Sequence, residues 1–367
     1  MAAYESLEFE QLKTSPLGQC IDLASSALGS SIVAVTDEFF APATNMINPA
    51  PPIHAPGRFV DTGAWMDGWE TKRHNPNYDW YVYYSFKYEE LRKEAIIKLG
   101  FSGSFKGFDI DTHYFTGNQA PFASVDAAVV PVGADAQSAD IKWTEILPKV
   151  ALPPTQHNVF MLKEETAVYT HLRVNNIPDG GIARFRAYGN VSPVWPEDKS
   201  AIVDLAFCGN GARAVEVSNQ HYTPGSNILL PGRGQNMGDG WETKRSRTPG
   251  HTDHVLIRLG DRGHILKAVV DTSNYCGNYP HKIILQATSS TKEVPEADAE
   301  WTTLIEPATT GPHDLFYFDL PHTDKVFSHA KIIIVPDGGL KRLRLYGVRE
   351  GATLPALPID VGNAAAQ

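Results

Sequence analysis

The heptapeptide DGWETKR stands twice in this chain, at residues 67–73 and again at residues 239–245. An unchanged packet of acids, bases and one tryptophan points first to internal duplication, which constrains the fold more than any single motif. Four further matches follow in the same order. Residues 20–42 align with 202–224, sharing Asp22 with Asp204 and a closing proline, and residues 96–118 align with 256–278. "WTEIL" at Trp143 pairs with "WTTLI" at Trp301, and residues 170–189 pair with 328–347, each carrying "PDGG" and a closing "YG". Two copies of one folding unit are therefore expected, over residues 1–195 and 196–367, with the proline-rich "NVSPVWPEDKS" as the joint. At 367 residues, each copy is long enough to bury its own core.

The register between copies is uneven. The heptapeptides are 172 residues apart but the Leu-Gly pairs at Leu99 and Leu259 only 160 apart, so the first copy holds extra residues. They fall in "YVYYSFKYEELRKEA" at 81–95, read either as a surface excursion or as a gene-model artefact that interrupts a strand. This alignment pairs Asp79 and Trp80 with Asp253 and His254.

Short apolar runs such as "HVLIRLG", "KIILQA" and "KIIIVP" are rich in β-branched residues and bounded by Gly, Pro, Asn or Asp. In "LKRLRLYG", Leu340, Leu343 and Leu345 are interleaved with Arg342 and Arg344, the pattern of a half-buried strand. The PDGG segments at Pro178 and Pro336 read as turns joining strands. Helical candidates are confined to residues 5–29 and "YEELRKEA". With 30 Gly and 26 Pro as well, the expected class is all-β: two tandem jelly-roll β-sandwiches.

A net charge of -10 argues against non-specific nucleic-acid binding, and no apolar run is long enough to span a bilayer. The first residues lack the basic and apolar regions of a signal peptide, and the three scattered cysteines form neither a disulfide framework nor a metal knuckle. A cytoplasmic protein that binds neither nucleic acid nor membrane is expected.

Charged residues at this density are rarely buried unless paired, which leaves two readings of the heptapeptide. One is an ion-pair knot in which Glu70 or Asp67 satisfies Lys72 or Arg73 while Trp69 plugs the end of the sandwich. The other is a ligand site at a loop-bearing end, where a guanidinium grips a carboxylate and neighbouring acids handle protons. "DTHYFTGN" at 111–118 and "DTSNYCGN" at 271–278 suit a pocket rim or a backbone-capping turn. His113 is the candidate base or metal ligand there, although the second copy has Ser273 at that place; His251 and His254 are candidates of the second copy alone. No nucleophile elbow, phosphate-binding loop or zinc-protease spacing is present.

Together "MDGWETKRHNPNYDW", "GDGWETKRSRTPGHTDHVLIRLG", the paired DT…GN segments and the twin PDGG…YG segments closely resemble the allantoicase family, from about residue 20 to about residue 350. The resemblance implies tandem galactose-binding-like sandwiches that hydrolyse allantoate to ureidoglycolate and urea. It assigns the substrate carboxylate to Arg73 or Arg245, with Lys72 or Lys244 in support. Trp69, Trp241, Asn118 and Asn278 complete the implied substrate-binding set. Glu70 or Glu242 takes one acid–base role, and Asp67, Asp239, His113 or His254 the other. Some members are helped by a divalent metal such as manganese, so a metal is left open, and a homo-oligomer is expected. The competing readings are a non-catalytic β-sandwich module that binds a small ligand or carbohydrate, and a structural scaffold in which the packets are ion-pair glue.

Overall fold

The structure is a computed structural model that describes residues 3–73, 92–321 and 324–362. It divides into two compact units, residues 1–192 and 193–367. Among the described residues every helical turn is of the short 3-10 type, and nearly all regular structure is antiparallel strand.

The first unit is organised by one 19-residue strand, Lys93–Asp111. Its first half lies between Ser31–Val35 and Tyr169–Ile177. Its second half lies between Val159–Leu162 and Arg184–Val191. The strand thus leaves one layer and enters the other. Phe122–Ala128 and Thr144–Ala151 extend the first layer; Tyr4–Leu7 and Ile21–Asp22 edge the second. Because Asn176 pairs with Lys93 while Arg184 pairs with Asp111, the short connection 178–183 ties the two ends of the long strand to one rim. Phe105, Phe108 and Phe185 stack in the fully buried core, successive ring centroids 5.9 Å apart.

The second unit repeats this plan around Asp253–Asp271, flanked by Arg213–Val217 and Phe327–Val335 on one half and by Leu315–Asp319 and Arg342–Arg349 on the other. The tryptophans of the WT segments play matching parts, with Arg173 above Trp143 at 4.6 Å and Lys331 above Trp301 at 4.0 Å.

Four sequence expectations change. Residues 5–29 do not form an α-helix: Tyr4–Leu7 is a strand and single 3-10 turns follow at Phe9–Thr14, Pro16–Gln19 and Ser26–Leu28. Pro16 lacks the N–H that would continue a helix from the preceding turn, and the left-handed Gly29 closes the last turn. Arg342–Arg349 is buried along its whole length rather than alternately, since carbonyls of the 227–239 loop solvate the guanidinium groups of Arg342 and Arg344. The extra residues of the first unit precede the long strand instead of interrupting it. The first four residues of "YEELRKEA" fall outside the described residues, and its last four enter them at Arg92, where the strand begins one residue later. Finally, Asp79 and Trp80 are not the counterparts of Asp253 and His254. Thr36 N–H binds Glu94 O as Ser218 N–H binds His254 O, so Lys93 and Glu94 hold those places; Asp79 and Trp80 lie outside the described residues.

Candidate active site

The heptapeptide is fixed first by its backbone. Trp69–Glu70 pairs with Gly181–Ile182, directly after the PDGG turn, and Trp241–Glu242 pairs with Gly339–Leu340 in the same way. Gly180 and Gly338 have φ of 133°, a conformation that disfavours a side chain. Gly181 is constrained differently, because a Cβ there would sit 2.0 Å from the Phe115 ring. The buried Thr71 closes the turn twice: it accepts from Gly180 N–H at 2.9 Å and donates to Gly180 O at 3.4 Å. Thr243 and Gly338 repeat the arrangement at 3.0 and 3.2 Å.

Trp69 and Trp241 are fully buried, which removes them from substrate contact. Each donates its indole N–H to a carbonyl, Asp37 O at 2.8 Å and Asn219 O at 2.7 Å, so they plug the sandwich end. Asp67 is likewise committed. Its Oδ2 accepts from Arg184 at 2.7 Å and from Ile53 N–H at 2.7 Å, and Arg184, only 2% exposed, also binds the carbonyls of Ala50, Pro51 and Asp67. Asp239 sits in the matching loop, paired with the buried Lys341 and with Gln235 N–H, while Arg342 binds its carbonyl. The ion-pair knot is therefore real, but it belongs to the aspartates. Both carboxylates are held by a buried cation and a backbone N–H.

The glutamates face the rim. Asn118 Nδ2 donates to Glu70 Oε1 at 3.0 Å, and Asn278 Nδ2 to Glu242 Oε1 at 2.6 Å. Burial pushes the Glu70 carboxyl above the usual range, and the Asn118 hydrogen bond and Arg73 charge only partly offset this. Arg73 is 39% exposed, with Nη2 donating to Gly117 O at 3.3 Å and Nη1 3.7 Å from Asp179. Lys72 is exposed, its ammonium 5.2 Å from the Phe39 ring centroid, and Lys244 and Arg245 are exposed at the matching rim. One exposed cation, one amide and one largely buried, protonatable carboxyl thus stand at this rim.

At the end of the long strand, just before the loop that carries Asn118, the first unit gathers acids and imidazoles. His113 Nδ1 lies 2.6 Å from Asp111 Oδ1, and His157 Nδ1 lies 2.8 Å from Asp109 Oδ2. The two imidazole centroids are 4.8 Å apart, and Phe9 stacks on His157 at 3.6 Å. Burial opposes the charged form of His157, but hydrogen bonding and charge from Asp109, with the charge of Asp111, outweigh it and raise its pKa. Burial likewise raises that of Asp109. His157 was missed from the sequence because its partners lie 46 and 48 residues upstream; they meet only through strand pairing, and the adjacent "QHN" gave no spacing signal.

Among its described residues the second unit has no matching group. Ser273 replaces His113, Val269 and Leu315 occupy the places of Asp109 and His157, and Arg233 reaches in to bind Ser273 Oγ at 2.6 Å with Asp271 at 3.9 Å. His254 sits instead at the other end of its strand, against Glu216 at 2.9 Å.

The description "Allantoicase repeat" fits residues 21–192 and 203–350, that is, both units. Over 337 residues the chain is 45% identical to the allantoicase of Neurospora crassa, covering 90% of this chain and 91% of that one. Against the allantoicase of Saccharomyces cerevisiae the figure is 41% over 354 residues, 94% of this chain and 98% of that one. The chain belongs to the allantoicase family. The crystal structure of the Saccharomyces cerevisiae protein superposes with a TM-score of 0.78 at 36% identity, covering 94% of this chain and 99% of that one, in agreement with the tandem sandwiches. An enzyme is therefore in hand, and the readings of a non-catalytic binding module and of inert ion-pair glue both fall. No helix among the described residues is long and apolar enough to cross a membrane.

Proposed function

We propose that the chain hydrolyses allantoate to ureidoglycolate and urea, and that the reaction runs at the rim of the first unit. One observation carries the placement: both units keep the Glu–Asn pair, but among the described residues only the first sets two imidazoles and two buried carboxylates, Asp109, Asp111, His113 and His157, together at the strand end that leads to its asparagine. Arg73 holds the substrate carboxylate, with Lys72 adding positive charge and Asn118 within reach of a ureido group. Cleavage breaks the bond between the central carbon and one ureido nitrogen. Glu70 in its acid form gives that nitrogen a proton, and urea leaves. Water, activated at the group formed by Asp111, His113 and His157, adds its oxygen to the central carbon. A carboxyl raised by burial suits the donor role, because it keeps its proton closer to neutral pH than an exposed glutamate does.

The three free cysteines fit a reducing cytoplasm, to which we assign the enzyme as an assembly of identical copies. The test is urea release from allantoate by Glu70→Gln beside Glu242→Gln. A loss of roughly 100-fold or more in the first, with the second within about threefold of wild type, is expected. Equal losses would put both units to work, and loss only in Glu242→Gln would move the site.

A further inference from the structure

We propose that Asp111, His113 and His157 hold one divalent transition-metal cation at the rim of the first unit. The inference deepens the reading above and rests on it only for the catalytic use of the ion. Each of the three residues offers one ligand atom, and these atoms lie within 4.8 Å of one another. Donors around a shared ion stand about 3–4 Å apart at bonds of about 2.1 Å, so a small closure suffices. His113, its side chain 33% exposed, can supply it.

A second, independent observation points into the same space. Asp111 is 1% exposed, and its Oδ2 is buried with no hydrogen-bond partner. The nearest basic atom recorded for that oxygen, His157 Nδ1 at 3.8 Å, already serves Asp109 at 2.8 Å. A bare carboxylate oxygen in such a place is costly unless a cation meets it. In the second unit the matching Asp271 Oδ2 is likewise buried with no hydrogen-bond partner, and there a permanent cation, the Arg233 guanidinium, stands 3.9 Å away. The first unit sets two carboxylates against two imidazoles, a formal charge of about -2 when the rings are neutral, which a divalent ion balances.

The donor chemistry narrows the choice. Two imidazoles with one carboxylate suit manganese, iron, cobalt, nickel or zinc, whereas calcium and magnesium prefer oxygen alone. Asp109 on His157 Nδ1 has the form of the outer carboxylate that orients a ligating histidine. The stacked Phe9 ring covers one face of that imidazole and limits its swing. A bound cation lowers the pKa of a coordinated water, which is the activation the hydrolysis needs.

The experiment titrates chelator-stripped full-length protein with Mn(II), following the paramagnetic resonance signal of the free ion, and assays urea release on the same samples. Wild type is expected to take up one ion per chain. His113→Ser copies the residue the second unit already carries, so it is expected to fold, as circular dichroism will verify, and to bind roughly 100-fold more weakly. Asp109→Asn is expected to weaken binding about 10–100-fold. His251→Ala removes a similar histidine–aspartate pair in the second unit and is expected to leave binding unchanged. Absence of Mn(II) uptake by wild type up to about 1 mM, or equal uptake by His113→Ser, overturns the site. Uptake without urea release keeps the site and removes the allantoate reading; urea release by protein that takes up no ion removes the site alone.

Discussion

Asn118 donates its side-chain amide to Glu70 at 3.0 Å across 48 residues of sequence, and Asn278 does the same for Glu242 at 2.6 Å. The pair is part of the shared frame of both units, yet its partners differ. In the first unit Glu70 lies within the field of Arg73, and the imidazole group stands at the start of the same loop that carries Asn118.

Removing that amide has a signed consequence. The Asn118 hydrogen bond favours ionised Glu70, so Asn118→Ala will raise the Glu70 pKa further. If Glu70 gives the proton, the alkaline limb of kcat against pH moves upward, while KM for allantoate rises through the lost contact. A pH profile of urea release from pH 5 to 9 checks it. A limb that moves down, or stays, removes Glu70 from the donor role.

Glu70→Gln is expected to trade activity for stability. The folded-state pKa of Glu70 is raised, so its stabilising contribution is complete below the unfolded value near 4.5 and is lost as pH rises through the folded value. At neutral pH the wild type therefore carries a charge-burial cost that glutamine lacks. Thermal unfolding at pH 7.5 is expected to show a Tm higher by about 1–3 °C in the variant, with the difference shrinking toward pH 4. A lower Tm at pH 7.5 would show that contacts of the carboxylate outweigh its burial.

The Asp67–Arg184 pair has the opposite character. Arg184→Leu takes the guanidinium away from the Asp67 carboxylate and from four carbonyls and is expected to cost about 3–5 kcal/mol of stability. Asp67→Asn keeps an acceptor for Ile53 N–H and is expected to cost less, with kcat per folded molecule within about tenfold of wild type. Denaturant unfolding and single-turnover urea release separate these effects. A kcat loss of about 1,000-fold in folded Asp67→Asn would return Asp67 to the chemistry.

Thr71→Val tests the closure of the turn. The isosteric change removes the acceptor for Gly180 N–H inside a buried site, at a cost of about 1–3 kcal/mol. Thr243→Val is expected to cost a similar amount, because Thr243 makes the same two bonds to Gly338. Separate unfolding transitions for the two units would resolve each loss. No loss in either variant would mean that the turn is held by its backbone alone.

Much of the fold was legible because duplication leaves marks that survive drift: the repeated heptapeptide, the twin PDGG turns and the β-branched runs recur in the same order in both copies. The site was less so. The buried partner of Asp67 was hidden because Arg184 lies 117 residues away, and of the two readings of Trp69 its full burial favours the plug. The buried arginines of Arg342–Arg349 defeat the period-of-two rule, since the carbonyls that solvate them belong to a loop about a hundred residues upstream. Glu94 and His254 show a further limit: linear alignment across an insertion matched Trp80 to His254, whereas backbone pairing decides the matter.

The strand Lys93–Asp111 belongs to both layers of its sandwich, gripped by one pair of neighbours before Gly103 and by another after it. Such a sandwich has no seam along which its layers can part without fraying this strand. Its central amides, around Gly103 to Gly107, are therefore expected to exchange with deuterium only when the entire unit opens, and to mark the slowest-exchanging segment of the first unit.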